Sequence, residues 1–194
     1  MTLIYLHGFN SDGTGLKPDQ LRKNFPEALL LAPDLEANPQ QVVEQVQQLL
    51  NTSIPPIYLV GSSLGGFYAY YFSAIFSIPC FLYNPSLNPH RTLHRGIGHH
   101  QTWIKGRDYH FKAAYLPMLE ALKKEAEALV QQYLLNFFLA TDDDVLDLSP
   151  IPGLFPAANH LSWHPKASHS FSKFKKTMPT VRQLIQQYTT EEAD

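Results

Sequence analysis

Gly61-Ser62-Ser63-Leu64-Gly65 sets a serine between two glycines, each two positions away. A nucleophile needs this spacing. A serine on a sharp strand-to-helix turn takes strained backbone angles, and side chains two residues to either side would collide there. The context fits, because Ile57–Val60 reads as a strand and the stretch from Leu64 reads as a helix. The turn then lifts the Ser63 hydroxyl above the sheet edge, and the helix N-terminus favours developing negative charge beside it. A phosphate-binding loop is the competing reading, but the Gly-Lys-Ser/Thr that it requires is absent.

A serine hydroxyl attacks only when a base takes its proton, usually a histidine oriented by a carboxylate. With this turn the chain order is serine, acid, histidine. The apolar run Leu134–Ala140 leads into Thr141-Asp142-Asp143-Asp144, so three carboxylates compete for one role. His160, His164 and His169 compete for the other. His169 lies after the strand-like Leu161-Ser162-Trp163 and before the last helical stripe, 26 positions beyond Asp143. His160 fits less well, because the 17 positions from Asp143 include three prolines. An oxyanion would need two backbone N–H donors. Leu64 supplies one. Phe9, in the loop Leu6-His7-Gly8-Phe9-Asn10, supplies the other, with Gly8 permitting close approach. His7 is expected to hold that loop by hydrogen bonds.

Elements that position these residues alternate along the chain. Leu3–Leu6, Leu29–Ala32, Ile57–Val60, Cys80–Tyr83, Leu134–Ala140 and Leu161–Trp163 read as short, apolar strands. Asn38-Pro39 caps a helix carrying Val42, Val43, Val46, Leu49 and Leu50. A second helix runs over Leu64–Phe76. A final stripe runs from Phe171 to Tyr188 and is expected to be kinked or split at Pro179. This predicts an α/β fold, a mostly parallel sheet with helices on both faces. Residues 1–194 are read as one domain, with residues 86–132 a cap insertion that contains no convincing strand. It has a histidine-rich part, His90 to His110, and a helical part, Ala113 to Gln132. Trp103 and Tyr109 are candidate substrate contacts there, with Phe111 and Tyr115 as further lining.

The totals exclude several classes. At 194 residues the chain is one domain on the usual scale of roughly 100–200. A formal net charge of −2 disfavours a nucleic-acid surface or an anionic-membrane surface. The single cysteine, Cys80, excludes an intramolecular disulfide framework and a multi-cysteine zinc site. No apolar run reaches the roughly 18 residues of a membrane span, and the start lacks the pattern of a signal peptide, so a cytoplasmic location is expected. His90/His94 and His160/His164 share an i, i+4 spacing, and His99-His100 lie nearby. No His-Glu-x-x-His pattern joins them, and Pro89, Gly96 and Gly98 oppose a helix, so no metal is expected.

With those motifs in this order, the sequence resembles the α/β-hydrolases, and more narrowly the small YqiA-type esterases. Tyr5-Leu6-His7-Gly8-Phe9-Asn10-Ser11, Gly61 through Ala69, Asn84-Pro85, Asp143-Asp144-Val145-Leu146-Asp147 and His169-Ser170-Phe171 carry the resemblance. It spans nearly the whole chain. It implies hydrolysis of small or acyl esters with no cofactor. It also selects Asp143, because the family's acid precedes one residue and then Val-Leu. The chain departs from the family in two places. Lys166-Ala167-Ser168 precede His169 where the family has glycines, and Asp142 stands where it has glycine. A small-molecule ester or thioester is thus the expected partner, the thioester needing only the same groups. A binder on the same fold, without turnover, is the other reading.

Overall fold

The computed structural model describes residues 1–191. Thr2–Leu6 (β1), Leu29–Leu31 (β2), Ile57–Ser62 (β3), Cys80–Tyr83 (β4), Leu135–Ala140 (β7) and His160–His164 (β8) form one sheet in the order β2-β1-β3-β4-β7-β8. Every pairing in it is parallel. Each expected strand is present within about two residues.

The pleat sorts the side chains of each strand between two cores. Ile4, Leu6, Leu59, Leu82, Phe137 and Leu139 face one side. There they meet Pro39–Thr52 (α2), Leu64–Phe76 (α3) and Tyr115–Leu129 (α5). Leu3, Tyr5, Tyr58, Val60, Phe81, Tyr83 and Phe138 face the other side. Leu16–Asn24 (α1) and Met178–Glu191 (α7) cover them. Helices on both faces explain why the strands are apolar at consecutive positions rather than alternating.

Local chemistry sets the helix ends. Asn38 caps α2, its side chain accepting the Gln40 N–H at 3.0 Å, and Pro39 fills the first turn, where an N–H has no intrahelical acceptor. The C-terminal stripe is split rather than continuous. Phe174–Thr177 forms a 3-10 turn, and α7 begins at Met178 with Pro179 in its first turn.

Residues 86–132 correct one expectation. The single-turn helix Pro89–Thr92 (α4) is followed by an antiparallel hairpin, Gly98–Gln101 (β5) and Asp108–Phe111 (β6). Of its strand residues only Phe111 is buried, so its sequence shows no apolar alternation by which to read a strand. α5 then returns the chain to the sheet, packing on α3. The one-turn helix Ile151–Leu154 (α6) is the only helix between β7 and β8 among the described residues. Among the described residues, no helix is long and apolar enough to cross a membrane.

Candidate active site

The chain leaves β1 for β2 on one side and returns to β3 on the other. A crevice therefore opens at the C-terminal ends of β1 and β3. Ser63 stands there, between β3 and α3, at φ 55° and ψ −120°. The flanking glycines are required by contact. A Cβ on Gly61 would lie 2.3 Å from the Gly65 carbonyl oxygen, and one on Gly65 would lie 2.0 Å from that of Leu6. The strained turn is held on both sides. Ser63 N–H donates to Tyr83 O at 3.0 Å, and Ser63 O accepts from Phe67 N–H and Ser86 N–H.

Three residues far apart in sequence meet at this turn. His169 Nε2 lies 3.0 Å from Ser63 Oγ. His169 Nδ1 lies 2.8 Å and 3.0 Å from the two carboxylate oxygens of Asp143. The Asp143 side chain is 2% exposed, and the imidazole is 22% exposed. Burial pushes the Asp143 pKa up, but the hydrogen bonds from His169 and from the Leu146 and Val145 N–H groups outweigh it and hold the pKa below 3.8. An ionised carboxylate only accepts, so Nδ1 carries the proton, and the Nε2 lone pair faces the Ser63 hydroxyl.

Two residues without an assigned role in the sequence reading hold the His169 loop. Lys166 and Ser168 sit at φ 56° and 57°, a region costly for residues with side chains. Asp142 Oδ1 accepts the Ala167 N–H at 2.9 Å between them. Asn84, fully buried at the end of β4, donates to Ser168 O and His169 O at 2.9 Å and 3.1 Å, while its Oδ1 accepts the Ala140 N–H. The two departures from the resembled family are thus one interaction: the carboxylate of Asp142 grips the loop that lacks glycine.

On the opposite side the β1 loop closes in. A Cβ on Gly8 would stand 3.2 Å from Ser63 Cβ, so only glycine brings this backbone so near. His7 is buried. Its Nε2 accepts the Leu35 N–H at 2.9 Å, so Nδ1 carries the proton and donates to Gly8 O at 2.8 Å. Burial holds its pKa below 6.5, against the raising effects of Gly8, Asp34 and Asp12. Phe9 and Leu64 both line a cavity of about 90 Å³ with Leu35, Tyr68, Tyr109 and Phe111. Leu64 opens α3, so its N–H has no acceptor within the helix.

The hairpin forms one wall of this cavity and is tied to the loop beneath. Asp12, buried, accepts the Ile104 and Lys105 N–H groups, each at 3.2 Å. Tyr109 OH donates to Asn10 Oδ1, and Trp103 N–H donates to Asn10 O. Tyr109 therefore reaches the cavity. Trp103 does not line it: it stands at the hairpin turn, 76% exposed. His160 and His164 lie along β8, joined through Ser162 Oγ at 3.0 Å and 2.9 Å, and do not approach Ser63. Among the described residues no group of three or more His, Cys, Asp or Glu side chains is placed to hold a metal.

Solved structures share this architecture. Est1E from Butyrivibrio proteoclasticus superposes with a TM-score of 0.74 at 14% identity, over 97% of this chain and 88% of that one. Alpha/beta hydrolase domain-containing protein 10 from mouse gives 0.68 at 13%, over 96% and 90%. The esterase domain of a Rhodothermus marinus protein gives 0.65 at 20%, over 93% and 84%. With its parallel sheet, helices on both faces and serine on the turn after β3, the protein has the α/β-hydrolase fold. Residues 2–186 match the model of an uncharacterised protein family, UPF0227, and the chain belongs to that family.

Proposed function

We propose that the protein is a serine carboxylesterase working through an acyl-enzyme on Ser63. The observation that carries this reading is the line of hydrogen bonds from Ser63 Oγ through His169 to Asp143, on a serine held at φ 55°. His169 Nε2 takes the Ser63 proton as Oγ attacks the ester carbonyl, and Asp143 stabilises the imidazolium formed. The N–H groups of Phe9 and Leu64 hold the oxyanion. The alkoxide leaves with the proton from Nε2. Water then gives a proton to Nε2 and attacks the acyl group, the proton returns to Oγ, and the carboxylic acid departs.

Likeness in fold to an esterase domain supports the same reading. The cavity, about 90 Å³ with mostly apolar and aromatic walls, suits a short acyl or alkoxy portion. The hairpin Gly98–Phe111, within the insertion 86–132, acts as the cap that bounds it. The test is a p-nitrophenyl ester chain-length series. Wild type turns over the short esters fastest, while Ser63→Ala and His169→Ala lose about 10³-fold or more in kcat. A Ser63→Ala variant with wild-type turnover would sink the proposal.

A further inference from the structure

The β5–β6 hairpin has two faces. His100, Tyr109 and Phe111 point inward around Phe9, with ring centroids 4.9, 5.9 and 5.4 Å from it. The outward face carries His99 and His110, both exposed. They sit directly opposite each other in the antiparallel register. His99 Nε2 and His110 Nδ1 approach to 3.2 Å. A tetrahedral ion with metal–nitrogen bonds of 2.0–2.1 Å needs two ligand nitrogens about 3.3–3.4 Å apart. The pairing of the strands has already set that separation, so only the exposed rings need turn to aim both lone pairs at one point.

We propose that His99 and His110 form a cross-strand chelate for a borderline divalent transition ion of the Zn²⁺ type. Imidazole nitrogen suits zinc, copper and nickel, whereas magnesium and calcium select oxygen. The ring that donates this hydrogen bond passes its proton through water to its far nitrogen, so that each neutral ring bound to the ion carries its one proton facing away from it, on Nδ1 of His99 and on Nε2 of His110. The hydrogen bond between the rings gives way to two nitrogen–metal bonds, and the hydrated ion loses two waters. No third protein ligand joins them among the described residues, so water completes the shell and the ion exchanges readily. The same hairpin supplies Tyr109 and Phe111 to the cavity wall, so the ion would tie together the two strands that build that wall. This site does not depend on the esterase reading.

Calorimetric titration of the full chain with Zn²⁺ near neutral pH tests it, with melting temperature read in parallel. Wild type binds one ion and its melting temperature rises with zinc, because the folded state alone presents the pair. His99→Ala and His110→Ala each lose the binding and the rise, while melting normally without zinc. His94→Ala, exposed on the same insertion, keeps both, and Mg²⁺ produces neither. An absence of saturable one-site binding in wild type overturns the proposal, as does binding that survives either His99→Ala or His110→Ala.

Discussion

His169 must present a lone pair to Ser63 and a proton to Asp143, and a ring turned by a few tens of degrees does neither. Its orientation rests on a loop with three residues at positive φ, Lys166, Ser168 and Phe171, which persists because Asp142 and Asn84 bind its backbone. Asp142 is therefore a positioning residue. Asp142→Ala is expected to lower kcat on a short ester by about 10- to 100-fold with little change in KM, since misplacement of about 1 Å costs that much. Asp142→Asn keeps an accepting oxygen and should recover most of the rate. Equal loss in both variants would argue against the role. Ser63 and His169 were legible in the sequence because a turn motif and a chain order point to them, whereas Asp143 was singled out from its two neighbours only by the family resemblance. Asn84 and Asp142 were not legible, because their roles depend on a loop from distant sequence lying beside them.

At the level of elements, the β1 loop is fastened from two directions. His7 ties it to the segment after β2, and Asp12 ties it to the hairpin turn. A neutral His7 makes the first tie, and its folded pKa is depressed below 6.5 by burial. Below 6.5 the unfolded chain takes up a proton that the folded chain refuses, so stability falls as pH drops through 6.5 toward the folded value. Thermal melts from neutral pH to pH values near 5 should therefore show a shallower acid loss in His7→Gln than in wild type, where this group's share is removed. An identical slope in the two proteins would contradict the assignment. The strands were readable because burial on both sides makes them apolar runs. The α1 helix escaped notice because Pro18 and Leu21 are its only buried residues, too few for a stripe. The hairpin escaped because its outward positions carry His99 and His110 in place of β-branched residues.

Across the whole molecule, strand order decides where chemistry can occur. The reversal between β1 and β3 opens one crevice, and the ends of β1, β3, β4, β7 and the loop after β8 all deliver a residue to it. Charged residues make up only 16% of the chain, which belongs with a sheet enclosed by helices, and five of the nine histidines lie on β8 and the hairpin. The central claim is that Ser63 is a nucleophile activated by His169. Intact-mass analysis after treatment with a fluorophosphonate tests it without any assumption about the natural ester. The account predicts a single phosphonyl adduct on wild type, mapped to Ser63, absent from Ser63→Ala and formed far more slowly on His169→Ala. An unlabelled wild type, or a Ser63→Ala variant labelled at the wild-type rate, would contradict it.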